Sequence, residues 1–485
     1  MTADPPADLR RVCYLLLGAL AVGTAAARVA GTENVHEASR FQPPPGGYGK
    51  VAEHRNLRPW PAERPEPTPF FGSNDRSRWA TVRALVDHGT YSIGRRENHT
   101  ASTGYRDTGI VTESDYQSID RVMDPATGLF YSSKPPLFAT LVAGEYWLLK
   151  HALGWDIVRD RWPVAVTILL TWNVLPFAVY LVVLAGVLER WGQTDFGRVW
   201  GFAVAALGTF VGTFQPTLNN HLPGTYCVLF ALAPLAGGVE PDRRRLAVSG
   251  FFAGLAVTFE LPAAALLAGL GLFAAIARGR AAAWFAVAAA VPILALFACN
   301  SAAFGTVVPV YEKFETEWYR YPGSHWSRLG TPAGKGIDFI DEPKWLYAWH
   351  LLVGHHGWFS LTPAWVVGLV GFWDMLRDRP AGWRLRVWSA QLYLGVSAVV
   401  VGFYVYKTNN YGGNAACARW LIWLTPLWVF AAAAGADRLA ASRWGRRLAV
   451  LALAVSAFSA AYPTWNPWRP PWVQQLLFYA GMIDY

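Results

Sequence analysis

Cysteine is scarce in this chain. Its 485 residues carry four, at positions 13, 227, 299 and 417. Cys13, Cys227 and Cys299 lie inside apolar runs and Cys417 opens one. No two have the spacing of a zinc knuckle or a disulfide framework, which excludes a cysteine-stapled scaffold. Charge is equally thin. Asp, Glu, Lys and Arg make up 15% of the residues, where a soluble chain carries about 25%. There is no internal repeat and no low-complexity tract. Outside residues 31–161 no polar block is long enough to fold as a soluble domain.

What is present is apolar surface. Hydrophobic residues reach 53% and aromatic residues 15%. Several runs approach the ~20 residues that span a bilayer. The 25 tryptophans suit the two membrane interfaces. The net charge of +9 comes from arginines in short clusters between apolar runs, the positive-inside pattern, and not from a nucleic-acid-binding face. The expected fold is an all-α polytopic membrane protein of about 11 transmembrane helices with a long first extracytoplasmic loop carrying juxtamembrane helices.

The chain divides accordingly. Residues 1–30 form an N-terminal segment and first span, with Arg10-Arg11 holding the N-terminus in the cytoplasm. A signal peptide cleaved near Ala25-Ala26-Ala27 is the competing expectation. Residues 31–161 form the extracytoplasmic loop. Its part 31–70 is irregular because prolines crowd it. Ser73-Asn74-Asp75 then starts a short amphipathic helix that His88-Gly89 stops. The apolar residues 136–152 are placed at the outer surface, because only then do Arg190, Arg198, Arg243–Arg245, Arg278, Arg280, Arg377 to Arg386 and Arg438 to Arg447 all fall inside. Residues 162–463 form the bundle, with spans near 163–188, 198–216, 222–238, 246–259, 261–277, 281–302, 357–376, 385–406, 417–435 and 447–463. Glu260-Leu261-Pro262 breaks the run 245–278 in two. Residues 464–485, with Trp465, Trp468 and Trp472, read as an interfacial tail.

The polar residues on the outer side are the candidates for chemistry. Asp75 could act as a general base or hold a divalent cation, or simply cap its helix. Lys134, in Tyr131-Ser132-Ser133-Lys134-Pro135-Pro136, is a held point charge for a phosphate, or a snorkelling lysine. Tyr131 could orient a sugar or phosphate. In Thr217-Leu218-Asn219-Asn220-His221, His221 could bind metal or phosphate, with helix capping by the asparagines as the plainer reading. Glu260 is an acid between two apolar half-helices. Arg419 stands on the outer side against the positive-inside bias, which an anionic ligand would explain. Asp107, Glu113, Asp115, Asp120 and Asp124 could each supply a second carboxylate. The adjacent His355-His356 lack the i, i+4 spacing of helical metal ligands.

Tyr131-x-x-Lys134-Pro135-Pro136, the early Asp75 in Asn74-Asp75-Arg76, and Tyr411-Gly412-Gly413 followed by Ala418-Arg419-Trp420 together resemble the GT-C superfamily of membrane glycosyltransferases. The likeness is to its protein O-mannosyltransferase and aminoarabinose transferase branch. It covers these short stretches as motif and most of the chain as outline. Arg76 stands where the family has Glu, and Ala418 where proline is commoner. The resemblance implies transfer of a hexosyl or pentosyl unit from a polyprenyl-phosphate donor to a lipid, glycan or protein acceptor at the extracytoplasmic face of a cell or inner membrane. Lys134, Arg419 and Tyr131 would serve the donor phosphate. Asp75 would serve as base or acceptor-orienting group. His221, Asn220 and Glu260 would line the cavity. No cofactor is required, although a divalent cation on Asp75 and His221 is compatible. A polytopic transporter or lipid flippase is the competing expectation.

Overall fold

The computed structural model describes residues 5–31, 67–98, 104–236, 241–331, 334, 336–377, 383–408, 410–463 and 466–483. Most of the expected irregular stretch 31–70 lies outside them, as does Trp465 of the tail. Helix α1 is Pro5–Gly31, α2 is Ser73–His88 and α3 is Pro136–Leu153. α4 (Arg161–Leu169) runs through a π-turn at Leu170–Val174 into α5 (Leu175–Trp191). α6 (Asp195–Leu207), α7 (His221–Leu232), α8 (Arg243–Phe259), α9 (Ala264–Arg278) and α10 (Ala283–Phe304) follow. Beyond a long loop come α11 (Lys344–Leu352), α12 (Trp358–Leu361), α13 (Ala364–Arg377), α14 (Trp383–Lys407), α15 (Thr425–Leu439), α16 (Arg443–Ala461) and α17 (Trp472–Tyr479).

Five helical stretches among the described residues are long and apolar enough to cross a membrane: Ala7–Gly31, Arg161–Trp191, Leu261–Phe304, Arg386–Lys407 and Arg419–Leu439. The other expected spans are built from shorter pieces. The one expected over 198–216 stops being helix at Leu207, because Gly208, Gly212 and Pro216 interrupt what apolar content alone would extend. Pro363 separates α12 from α13. The run expected over 417–435 opens as a 3-10 turn at Arg419–Leu424 before α15 begins.

Close glycine contacts fix the helix directions. A Cβ on Gly250 of α8 would collide with the Phe285 backbone of α10, and one on Gly254 with Ala289. The constant offset makes α8 and α10 parallel, so α9 returns between them. Likewise Arg10 of α1 reaches Glu189 and Asp195, while Gly18 faces Phe202, which makes α1 parallel to α6. The carboxylate of Asp437, at the end of α15, accepts the N–H groups of Gln193 and Thr194. These directions put Arg190, Arg198, Arg243–Arg245, Arg278, Arg280, Arg377 and Arg438 at the end of the bundle away from Glu260.

The expectation of an all-α chain needs one correction. Residues 94–132 contain a four-stranded antiparallel sheet in the order β2-β1-β4-β3, built from β1 (Gly94–Glu97), β2 (Arg106–Thr108), β3 (Arg121–Met123) and β4 (Leu129–Ser132). Strands of three or four residues are too short to register as a period-2 pattern. Arg96 of β1 is buried, and its guanidinium forks onto Asp107 of β2 at 2.7 and 2.9 Å. The Ser132 and Ser77 hydroxyls, 3.0 Å apart, tie β4 to α2. The sheet thus hands the chain to Lys134 from a fixed strand.

The Gly371 and Gly435 crossing of α13 and α15 tests the packing. A Cβ on Gly371 would strike the Ala431 carbonyl and the Gly435 amide, whereas one on Gly186 of α5 meets open space. Gly371→Ala should lower the melting temperature in detergent by several degrees, on the order of 1–3 kcal/mol of overpacking. Gly186→Ala should leave it unchanged or raise it. Equal melting of the two variants would refute the crossing.

Candidate active site at the end of the bundle

The site is assembled from four places in the chain. β4 and the prolines after it deliver Lys134. The first turns of α2 deliver Asn74, Asp75 and Arg78. The junction where α8 ends beside the start of α7 delivers Glu260, Asn220 and His221. The turn ahead of α15 delivers Arg419.

Lys134 does not point into lipid. Its ammonium lies 2.6 Å from Asp120 Oδ1, and the two side chains keep 16% and 14% of their surface exposed, so both remain reachable. The Ser133 N–H donates to the Asp120 carbonyl, which holds the two segments in register. Burial opposes ionisation of Asp120, but Lys134, with Arg419 and Arg78 adding, outweighs it and holds the carboxyl below its usual range. Burial also pushes the Lys134 ammonium down; Asp120 opposes this, and the two arginines reinforce it. Of the five first-loop acids, Asp120 is therefore the one that reaches the site. The others are engaged elsewhere: Asp107 with Arg96, Glu113 with Arg83, Asp115 with Arg161, and Asp124 in its own turn with Thr127.

Behind Lys134 lies a hydrogen-bonded chain. Arg78, buried on α2, donates to the Asn74 carbonyl at 2.9 Å and to the Asn220 side-chain oxygen. Asn220 Nδ2 donates to Glu260 Oε1 at 2.7 Å. Glu260 also meets His221 Nδ1 at 2.5 Å, and His221 Nε2 lies 3.1 Å from Arg419 Nη1. A guanidinium can only donate, so His221 Nε2 is the acceptor and Nδ1 carries the proton given to Glu260. Arg419 is held further by the Gly412 carbonyl at 2.6 Å. The Trp468 ring covers its guanidinium, with its centroid 5.2 Å away.

Asp75 is engaged by backbone groups through both its oxygens. The N-cap of α2 is Gly72, and Asp75 sits within the first turn, fully buried. Its Oδ2 accepts the Phe71 N–H at 2.9 Å and its Oδ1 the Leu218 N–H at 2.6 Å. Burial, outweighing these two donors and the nearby Arg78 and Arg76, pushes the carboxyl up to about 7. Asp75 thus clamps α2 to the 214–220 loop. The π-turn holds the same loop from the other side, where Asn173 Nδ2 donates to the Gln215 and Thr217 carbonyls at 2.7 and 2.8 Å. The two asparagines after Thr217 divide their work. Asn219 caps α7 by accepting the Leu222 N–H, and Asn220 bridges to Glu260.

These contacts correct three further expectations. A cation held by Asp75 and His221 does not fit, since both Asp75 oxygens serve backbone N–H groups and His221 Nε2 faces a guanidinium. His221, Asn220 and Glu260 form the layer behind the cleft, not its wall. The tail is not wholly interfacial, because Trp468 is buried against Phe214. The cleft itself is lined by Lys134, Arg78, Tyr131, Tyr91, Pro136 and Phe304, among others. Tyr131 is on this wall, as expected, with its ring edge-on to Phe304. Arg78 was not among the sequence candidates. Its place three residues after Asp75, on the same helix face, was the available signal.

No known protein family matches the sequence, and no curated protein matches it either. Among the solved structures that resemble the fold, two show a weak likeness. One is the archaeal oligosaccharyltransferase AglB from Archaeoglobus fulgidus in complex with an inhibitory peptide and a dolichol-phosphate, 10% identical, with a TM-score of 0.46. The other is the Archaeoglobus fulgidus oligosaccharyltransferase in the apo form, 12% identical, with a TM-score of 0.48. Each alignment covers 97% of this chain and 60% of the other. At these scores neither likeness bears on activity.

The Asp75 clamp has a pH signature. Its native carboxyl titrates at about 7, above the ~3.9 of an unfolded chain. Between these values the native state binds the extra proton, so the group's contribution to stability falls as pH rises through that window. The melting-temperature difference between wild type and Asp75→Asn should therefore shrink from about pH 5 to about pH 7.5. A difference that is flat or grows would contradict the assignment.

Proposed function

We propose that this chain is a membrane glycosyltransferase. In this reading it moves a hexosyl or pentosyl unit from a polyprenyl-phosphate donor to an acceptor at the extracytoplasmic face. One observation carries it. The three cations Lys134, Arg78 and Arg419 converge with two carboxylates, Asp120 and Glu260, at one end of an apolar bundle. Cations gathered so close to a reachable cleft suit an anionic ligand such as a phosphodiester. The same cleft has an apolar flank, Pro136, Ala139, Ala303 and Phe304, that suits a prenyl chain. The Tyr131–Pro136 motif resemblance points the same way. The arginine clusters at the far end support placing the cleft on the extracytoplasmic side.

The chemistry follows from where charge develops. The acceptor forms a bond to the anomeric carbon while the bond from that carbon to the phosphate oxygen breaks, and the electron pair leaves on the phosphate. Cations fixed beside the departing oxygen favour the transition state over the ground state. Lys134 lines the cleft and is the first to reach that oxygen. Arg78 and Arg419 act from behind it. We assign the acceptor side to Asp120, an ionised carboxylate with exposed surface, in place of Asp75. Asp120 takes or orients the acceptor proton. Asp75, with both oxygens engaged, is a positioning residue.

Transfer from a radiolabelled polyprenyl-phosphate sugar into membranes tests the reading. Lys134→Ala should reduce transfer ~100-fold or more, and Asp120→Asn should reduce it by a similar order. Folding is checked by the gel-filtration profile of each variant. Full transfer by either folded variant removes its assigned role. Donor uptake into vesicles with no transfer by wild type would replace the enzyme with a transporter.

A further inference from the structure

We propose that a second site, formed by Glu342, His350 and His355, binds a zinc ion that ties the 336–357 segment to the Tyr411–Gly412 turn. These three residues lie apart in sequence. Glu342 precedes α11, His350 sits in its last turn, and His355 follows it. The fold brings one ligand atom of each to within 4.8 Å of the others. Ligands ~2.1 Å from a tetrahedral ion stand ~3.4 Å apart, so closing the site takes a shift of the ligand atoms and a turn of one imidazole out of its stack on the other. His350 and His355 are buried, and their rings stack with centroids 4.1 Å apart. His350 Nδ1 is buried with no hydrogen-bond partner among the described residues.

The donor set selects the metal. Two imidazoles and one carboxylate suit zinc. Calcium and magnesium favour all-oxygen cages. A supporting layer is also present. His356 stands behind His355, Nδ1 to Nδ1 at 2.6 Å, and so sets that ring's tautomer, as outer partners of metal-bound histidines do. The Tyr411 hydroxyl donates to Glu342. The Tyr411 ring packs on both histidines that follow α11, 4.7 Å from His355 and 5.0 Å from His356. Tyr411 precedes Gly412, whose carbonyl holds Arg419. An ion here would order that turn and, through it, the Arg419 guanidinium.

The test uses the full chain, tag-free, in detergent, stripped with a chelator and returned to zinc or cobalt(II). Wild type should retain about one zinc per chain, melt several degrees higher with zinc than without, and give the intense visible absorption of tetrahedral cobalt. His350→Gln and His355→Gln should each cut retained zinc at least ~5-fold. His151→Gln, at an exposed position of α3, should retain it. The cobalt spectrum of wild type needs no variant, so misfolding cannot mask the answer. A wild type that retains no zinc, or variants that keep it, would overturn the proposal and leave the cluster as a packing stack around Tyr411. None of these readings uses sugar transfer, so the test stands apart from the function proposed above.

Discussion

The run of hydrogen bonds from Arg419 through His221, Glu260 and Asn220 to Arg78 is the constraint on which this end of the molecule depends. Charged groups removed from water are costly unless each is paired and hydrogen-bonded. Here no single partner would suffice, so four chain segments have to meet. That requirement accounts for the break between α8 and α9. Pro262 ends the continuous helix, and Glu260 is freed to turn toward α7. It accounts for Gly224 as well, where a Cβ would approach the Glu260 side chain to 3.0 Å. Truncating one member leaves its neighbours in the run buried and short of a partner, which couples the members to one another.

Around that chain the surface elements act as a frame. α2 supplies Arg78 from one face, and Asp75 on the same turn pins the loop that carries Asn220 and His221. The small sheet fixes the strand that ends at Lys134. Trp468 from the tail and Gly412 from the late turn close over Arg419. Cationic groups are thus held by scaffold on all sides, while the cleft they face opens toward the apolar ends of α3 and α10. A site preorganised in this way spends little on reorganisation when charge develops on a leaving group. This is the physical basis for reading it as catalytic instead of merely structural.

The sequence by itself determined the class of the protein and most of its local structure. Hydropathy and the arginine clusters specify a membrane bundle, because a bilayer admits only self-satisfied backbone. Ser73, His88-Gly89, Pro135-Pro136 and Glu260-Leu261-Pro262 mark helix ends that the structure reproduces at α2, α3 and the α8–α9 break, since caps and prolines act over a few residues. Lys134, Arg419, His221 and Glu260 were legible as candidates because polar groups in an apolar chain stand out. What only the tertiary structure decided is who meets whom. Five loop acids look alike in sequence, yet Asp120 alone faces Lys134. Asp75 reads as a cap or a base, whereas the fold places its two oxygens on backbone N–H groups, of Phe71 close by and of Leu218 far along the chain. The short strands around Arg96 carry no periodic signal. Glu342, His350 and His355 form a cluster that no helical spacing announces. Local pattern reports the conformation of a segment, whereas pairing between distant segments is settled by burial, and burial exists only once the chain has folded.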